Sequence, residues 1–306
     1  MTITDLGGYR LLTYRDGGKP VPGVLVGSQI HPAAALLASA DVDASSVLAI
    51  LESWSKADSA LQAAIHNVPA EEGMPLEEAE LLAPILYPRA IFCAGANYWD
   101  HMQEMEGAVD RDSRAKEPWF FVKTSAHSVI GDHASVQPPK GSQQLDWEAE
   151  LGVVVGRRAR DVSAADAADV IAGYTIINDL SARNLMTRSD RPPSMTFDWI
   201  GQKCFDGAAP MGPWITPAAY VQDCHDLDVR LWVNDVLKQN SNTNNLVHNV
   251  YEQIEWLSHQ LTLMPGDVIA TGTPAGVGMP RGDYLKKGDV VRIQIEACGD
   301  LTNSIA

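Results

Sequence analysis

The chain has 306 residues, 45% hydrophobic and 20% charged, with a formal charge of −16. That length accommodates one large domain, or a main domain with a smaller one, and either buries a real core. The acidic balance argues against nucleic acid or anionic membrane as a partner, and no apolar run approaches the roughly 18 residues of a membrane span.

The first stretch, MTITDLGGYRLLTYRDGG, lacks the basic-then-apolar pattern of a secretory leader. Cys93, Cys204, Cys224 and Cys298 are far apart and form no metal or redox pair spacing. They read as reduced thiols of a cytoplasmic protein. Residues 8–31 predict two strands, YRLLTYRD and PGVLVGSQI, joined by a turn around Gly17 and Gly18. SSVLAILESWSKADSALQAAI carries apolar residues at helical spacing, with Ser45 or Ser46 as its cap. PAEEGMPLEEAELLAPI reads as an exposed connector, so a small N-terminal α/β domain is expected over residues 1–85 and the main domain over 86–306.

From RAIFCAG onward, short β-rich runs alternate with segments holding Gly, Pro, Asn and Asp. The clearest strands are AIFCAG, FFVKTS, AELGVVVG, GYTIIND, VRLWVND, DVIATGTP and DVVRIQIEA. Two helices are expected, AADAADVIA and NNLVHNVYEQIEWLSHQL, the second with Leu246, Val250, Ile254 and Leu257 as its apolar stripe. Many strands, few helices and no regular βαβ alternation predict an α+β, mostly β chain whose antiparallel or mixed sheet is rolled or barrel-like.

The chemistry-bearing residues begin in LDWEAELGVVVG. Residues two apart on a strand share a face, so Asp146, Glu148 and Glu150 point together, away from Trp147 and Ala149. Such carboxylates persist in water, beside basic groups or around a cation. A solvated strand face explains them as well as a metal does. Asp179 ends GYTIIND, 29 residues after Glu150, which leaves room for a strand, a helix and a return strand. Three carboxylates without His or Cys would suit magnesium, manganese or calcium rather than zinc.

In NYWDHMQEM, His101 and Glu104 share a helical face, where a glutamate fixes the imidazole tautomer and raises its basicity. An ordinary exposed turn is the plain alternative. Lys203 lies in the Gly-flanked WIGQKCFDGAAPMGPW, either poised to stabilise an oxyanion or paired with Asp206, and Lys123 in FFVKTS presents the same choice. Thr271 and Thr273 follow a buried strand in VIATGTPAGVG, whose glycines would let amides approach a carboxylate. Without Gly-Lys-Ser/Thr it is no phosphate loop. His127, His133, His225, His248 and His259 lack partners at recognisable spacing and read as structural or surface residues. Trp99, Met102, Met105, Met195, Phe197 and Trp199 are pocket or core residues.

The order AGANYWDHMQEM, DWEAELGVVVG, GYTIINDLSARN, GQKCFDGAAPMGPW, PGDVIATGTPAGVG resembles the fumarylacetoacetate hydrolase family over roughly residues 88–303. The resemblance implies a mixed β-roll, a homodimer and a divalent ion, Mg2+ or Mn2+ with Ca2+ as a further option, on Glu148, Glu150 and Asp179. It implies a His101–Glu104 dyad and an active-site Lys203, with Arg183, Thr273 and Lys123 at the substrate. The chain departs from the pattern at Met186, where many members carry a Gln that binds the α-keto acid end. The stretch EGAVDRDSRAKEP after the dyad is also long.

The implied activity is hydrolysis of a carbon–carbon bond in a 1,3-diketone or 2,4-diketo acid, such as an acylpyruvate or fumarylpyruvate of aromatic catabolism. His101, held by Glu104, would take a proton from water, Lys203 would stabilise the oxyanion, and the metal would stabilise the departing enolate. The same site supports oxaloacetate-type decarboxylation or tautomerisation, or isomerisation or hydration of a 2-oxo-dienoate. A noncatalytic metal- or carboxylate-binding protein is the reading from another class, and it has no use for a poised base.

Overall fold

The structure is a computed structural model and describes residues 7–68, 72–106 and 116–306. Its main elements, in chain order, begin with β1 (Tyr9–Asp16), β2 (Lys19–Val26), β3 (Gln29–Pro32), α1 (Val47–Glu52) and α2 (Trp54–Ile65). Then come β4 (Ile91–Gly95), α3 (Trp99–Glu106), β5 (Trp119–Lys123), β6 (Ala149–Val155), β7 (Ile171–Asn178) and α4 (Trp199–Lys203). The chain continues through β8 (Ala209–Pro217), β9 (Asp228–Val233), β10 (Val236–Asn242), α5 (Val250–Gln260), β11 (Val268–Ala270), β12 (Val290–Ile295) and β13 (Gly299–Ile305).

Among the described residues, the largest sheet has 12 strands and runs through β3, β2, β1, β8, β7, β6, β11, β4 and β5. It is mixed, since β11 and β4 pair in parallel while β6 and β7 pair antiparallel. A five-stranded sheet carries β10, β9, β12 and β13. The architecture is thus the mostly β, α+β fold expected. The N-terminal strands join the same sheet, because β1 pairs with β8 at Leu11 and Ile215.

Strands β6 and β7 are buried along their whole length, and period-2 alternation explains how. Leu151, Val153, Tyr174 and Ile176 face one core, closed by Val229, Ile293 and the Val250–Ile254–Leu257 stripe of α5. Val154 and Ile177 face a second core, closed by Ile50, Leu51, Ala57 and Leu61 of α1 and α2, and Ala172 joins them where the pairing slips between Val154 and Val155 and the alternation breaks. Covering both faces requires near-continuous apolar runs, and AELGVVV and IAGYTIIN supply them.

Three local expectations change. The 45–65 helix is two helices separated at Ser53, and Ser46 caps the first by accepting the Ala49 N–H at 3.0 Å. AADAADVIA forms 3-10 turns over Ala164–Val170 and then enters β7, with Gly156 N–H bonded to the Val170 carbonyl. Helix α5 starts at Val250, where Asn249 and Glu252 form a capping box. That leaves Leu246 outside it, in a bridge with Tyr98.

Candidate active site

The pairing of β6 with β7 builds the carboxylate site. Ala149 faces Asn178 and Glu150 faces Ile177, so Asp179 falls opposite Glu148 and donates its N–H to the Glu148 carbonyl at 2.9 Å. Residues opposite one another in an antiparallel pair share a face. Glu148, Glu150 and Asp179 therefore emerge on the side that carries Val154 and Ile177, while Trp147 and Ala149 enter the opposite core. One oxygen from each of the three acids lies within 4.8 Å of the others. All three are buried, at 6%, 1% and 1% exposure, so a solvated strand face is excluded.

Asp146 shares their face but not their cluster. Its Oδ2 meets Arg183 Nε at 2.9 Å, and its Oδ1 accepts the Gly278 and Trp147 N–H groups at 2.6 and 2.9 Å. Arg183 also reaches Glu148 Oε1 at 2.5 Å. The guanidinium thus spans two carboxylates. Burial lowers its pKa, but Glu148 and Asp146 outweigh that and raise it.

Lys203, at the end of α4, bridges Glu148 Oε2 at 2.9 Å and Asp179 Oδ2 at 2.7 Å, with its ammonium 4.8 Å from the Phe121 ring centre. Burial acts to neutralise it, but Asp179 and Glu148 hold its pKa above the ordinary lysine value. Lys123 stands 2.7 Å from Asp179 Oδ1 and donates to the Leu180, Lys203 and Ala208 carbonyls at 3.0, 2.8 and 2.9 Å. Each of its three protons has a carbonyl acceptor.

These cations divide the acids. Burial raises the Glu148 pKa, but Lys203 and Arg183 overcome it and hold the carboxyl below the usual range. Glu150 is pushed well above that range by burial, then by Asp179 and Glu148, against the Gly272 N–H at 2.8 Å and Lys203. With all four carboxylates ionised, the state that metal binding requires, the three cationic side chains leave one negative charge, on Glu150, which lacks a side-chain ion pair among the described residues. An all-oxygen donor set with that excess charge fits a hard divalent cation, and Glu148, Glu150 and Asp179 are the residues to hold it.

The dyad residues meet less closely than expected. His101 Nδ1 is 3.8 Å from Glu104 Oε2, beyond hydrogen-bond reach, and that buried nitrogen has no hydrogen-bond partner. Glu104 is anchored elsewhere, accepting the Gly276 N–H at 2.9 Å and pairing with Arg281 at 2.7 Å. Burial raises its pKa, but His101, the Gly276 N–H and Arg281 together bring it below the ordinary value. Gly272 and Gly276 sit at φ +104° and +109°, where a Cβ would stand 2.8 Å from Asn97 Cβ and 2.1 Å from the Lys238 carbonyl. Both glycines are there to bring an amide to a carboxylate.

Thr273 is buried, and its Oγ1 accepts from Gln239 Nε2 at 2.9 Å. Gln239, not singled out from sequence, also accepts the Ala149 N–H, tying this loop to β6. Asn178 and Ser181 were missed too: they bond the Glu148 N–H and Oε1 at 3.1 and 3.2 Å. Adjacency to Asp179 was their only sequence signal. Of the apolar candidates, Trp199 packs on Phe121 with ring centres 4.5 Å apart, whereas Met195 and Phe197 are exposed. Met186 ends the turn after Arg183 and accepts the Asp198 N–H through its carbonyl. Most of the long stretch after the dyad, residues 107–115, lies outside the described residues.

A mixed β fold with a buried carboxylate triad defines the chain as a candidate for hard-metal chemistry on oxygen-rich substrates. The fumarylacetoacetate (FAA) hydrolase C-terminal model matches residues 90–306, and the chain belongs to the fumarylacetoacetate hydrolase family of enzymes. It is 39% identical over 234 residues to the human mitochondrial oxaloacetate tautomerase FAHD2B, covering 76% of this chain and 71% of that one. With the mitochondrial oxaloacetate tautomerase fahd2 of Xenopus laevis it shares 35% identity over 299 residues, 97% of this chain and 90% of the other. Among solved structures it resembles the fumarylacetoacetate hydrolase of psychrophilic Exiguobacterium antarcticum, with a TM-score of 0.77, 30% identity and coverage of 97% and 99%. The maleylpyruvate hydrolase of Sphingobium sp. SYK-6, in complex with manganese (II) ion and pyruvate, matches with a TM-score of 0.74, 28% identity and coverage of 97% and 98%. No helix among the described residues is long and apolar enough to cross a membrane.

Proposed function

We propose that the protein is a divalent-metal-dependent tautomerase of an oxaloacetate-type keto acid, interconverting its keto and enol forms. The observation that carries this reading is the buried Glu148–Glu150–Asp179 triad: with its acids ionised and Asp146, Arg183, Lys203 and Lys123 around it, the site carries one excess negative charge, which a divalent ion would turn into one positive charge. An anionic keto acid matches that balance. The oxaloacetate tautomerases at 35–39% identity support the same substrate class.

Glu148, Glu150 and Asp179 would hold a divalent cation, which would supply Lewis acidity toward the substrate's carbonyl oxygens. Lys203 stays an ammonium and sets a fixed positive charge beside the developing oxyanion. His101 moves the proton between the carbon next to the carbonyl and solvent, using Nε2, the ring nitrogen turned away from Glu104. Glu104, fixed by Gly276 and Arg281, sets its carboxylate 3.8 Å from Nδ1 on the other side of the ring. Arg183 keeps Glu148 ionised and aligned, and Lys123 holds the Asp179 carboxylate in place at 2.7 Å, so Lys123 acts as a positioning residue. Thr273 contributes a hydroxyl at the substrate side.

Carbon–carbon hydrolysis of an acylpyruvate is the second reading, favoured specifically by the His101–Glu104 pair, which suits activation of water. One experiment separates the two. Oxaloacetate, an acylpyruvate and fumarylpyruvate are mixed with protein and Mg2+ or Mn2+, the enol absorbance is followed, and products are identified. Accelerated decay of the oxaloacetate enol band with the acid itself conserved is expected. Cleavage of the acylpyruvate without any effect on oxaloacetate would replace tautomerisation by hydrolysis. Light scattering on the same samples tests the homodimer.

A further inference from the structure

Three of the five residues from Gly272 to Gly276 give their amides to carboxylates, and those carboxylates belong to two different parts of the site. The Gly272 N–H bonds Glu150 of the carboxylate triad at 2.8 Å. The Ala275 N–H bonds Asp100 Oδ1 at 3.2 Å, and the next amide, Gly276 N–H, bonds Glu104 Oε2 at 2.9 Å. Asp100 and Glu104 lie four apart on α3, so they share the helix face that meets this loop, with His101 between them.

The loop itself is held firmly. Pro274 has no N–H, and its carbonyl accepts Gln239 Nε2 at 2.7 Å, while Gln239 ties back to β6 through the Ala149 N–H. Helix α3 has less to hold it. None of the residues from Trp99 to Met105 is fully buried, so apolar packing fixes it weakly and polar links must do so. Asp100 supplies a second such link, because its Oδ2 accepts the Ser241 hydroxyl of β10 at 2.7 Å. The entry to α3 is anchored separately by Asn97, which donates to the Thr271 carbonyl at 2.8 Å and accepts the His248 N–H at 2.9 Å.

We propose that Asp100 is a positioning residue: with Glu104 it latches α3 to the loop that also orients Glu150, and so fixes His101 against the carboxylate triad. Loop 272–276 is then a spacer of set length between the proton-moving side chain and the acids. The kinetic consequence rests on the tautomerase reading; the latch itself does not.

The test uses the full chain as wild type, Asp100→Ala, Asp100→Asn and Ser241→Ala. Asparagine keeps an oxygen for the Ala275 amide and offers an N–H to Ser241 Oγ, so it preserves both links, and alanine removes both. Amide hydrogen exchange across α3 and at Ala275 is expected to quicken at least ~10-fold in Asp100→Ala and to stay near wild type in Asp100→Asn. Mn2+ affinity is expected to be unchanged in both, since the triad keeps its own supports. The kcat for oxaloacetate tautomerisation is expected to fall about 10–10²-fold in Asp100→Ala with KM little changed, and to recover in Asp100→Asn. Ser241→Ala removes one link, is expected to quicken exchange by a smaller factor, and carries the test if Asp100→Ala does not fold. Unchanged exchange in the variant that carries the test would overturn the proposal, as would an Asp100→Asn protein as impaired as Asp100→Ala. Loss of Mn2+ affinity in step with kcat would place Asp100 with the metal and overturn it too. A wild-type protein inactive on oxaloacetate would sink the tautomerase reading instead, and the exchange measurement would still decide the latch.

Discussion

Glu104 illustrates how single side chains are tuned here. Its carboxyl lies below the ordinary pKa because His101, the Gly276 amide and the Arg281 guanidinium together outweigh the effect of burial. In the proposed mechanism the ionised form steers the imidazole 3.8 Å away, so activity is expected to fall as pH falls through this pKa. Arg281→Ala removes one support and raises the pKa, so the acidic limb of the kcat/KM profile is expected to move to higher pH. An unmoved limb would detach Glu104 from the reaction. His101→Ala is expected to reduce turnover by about 10²-fold or more with metal affinity kept, which single-turnover assays and metal titration measure separately. Lys203→Met is expected to cost about 10²–10³ in kcat, the scale of losing a charged transition-state stabiliser. Sequence identified these residues through their motif order. Alternation alone did not separate Asp146 from Glu148 and Glu150, since all three share one face; the family resemblance set it apart, and in the fold its oxygens are taken by Arg183 and the Trp147, Gly278 and Met279 amides.

At the scale of elements, the register of β6 against β7 places the acids, and the 271–276 loop completes their support. The Gly272 N–H bonds Glu150 from a backbone conformation that an L side chain rarely adopts. Gly272→Ala is expected to destabilise the fold by about 1–3 kcal/mol and to weaken metal binding. Urea unfolding and a Mn2+ titration on the same variant check both. The strands were readable because β6 and β7 are long apolar runs. AADAADVIA was misread as a helix because local alanine preference says nothing about where β7 must begin. The Gly156–Val170 bond sets that point, and the remaining residues span the gap in 3-10 turns.

At the scale of the molecule, the central sheet separates two cores. Leu151 is fully buried in the core closed by α5, and Leu151→Ala is expected to cost about 2–5 kcal/mol, read by denaturant unfolding. The same burial gives metal binding a pH dependence. Glu150 has a raised pKa, so without metal it keeps its proton above the usual carboxylate range. The ion must displace that proton, and affinity for Mg2+ or Mn2+ is expected to fall as pH drops through the raised pKa. Calorimetry in buffers of different ionisation heat would report the released proton. A pH-independent affinity would contradict it.

The sequence by itself determined the mostly β class and the positions of the long strands, and its motif order singled out Glu148, Glu150, Asp179, His101, Glu104 and Lys203 as candidates. Alternation and motif order are local properties, and a chain carries them without folding. Tertiary structure alone decided that Arg183 spans Asp146 and Glu148 and that Lys123 is saturated by backbone carbonyls. Those outcomes depend on what stands opposite each side chain in a low-dielectric interior, where a charge's meaning is set by its neighbours across many residues of chain.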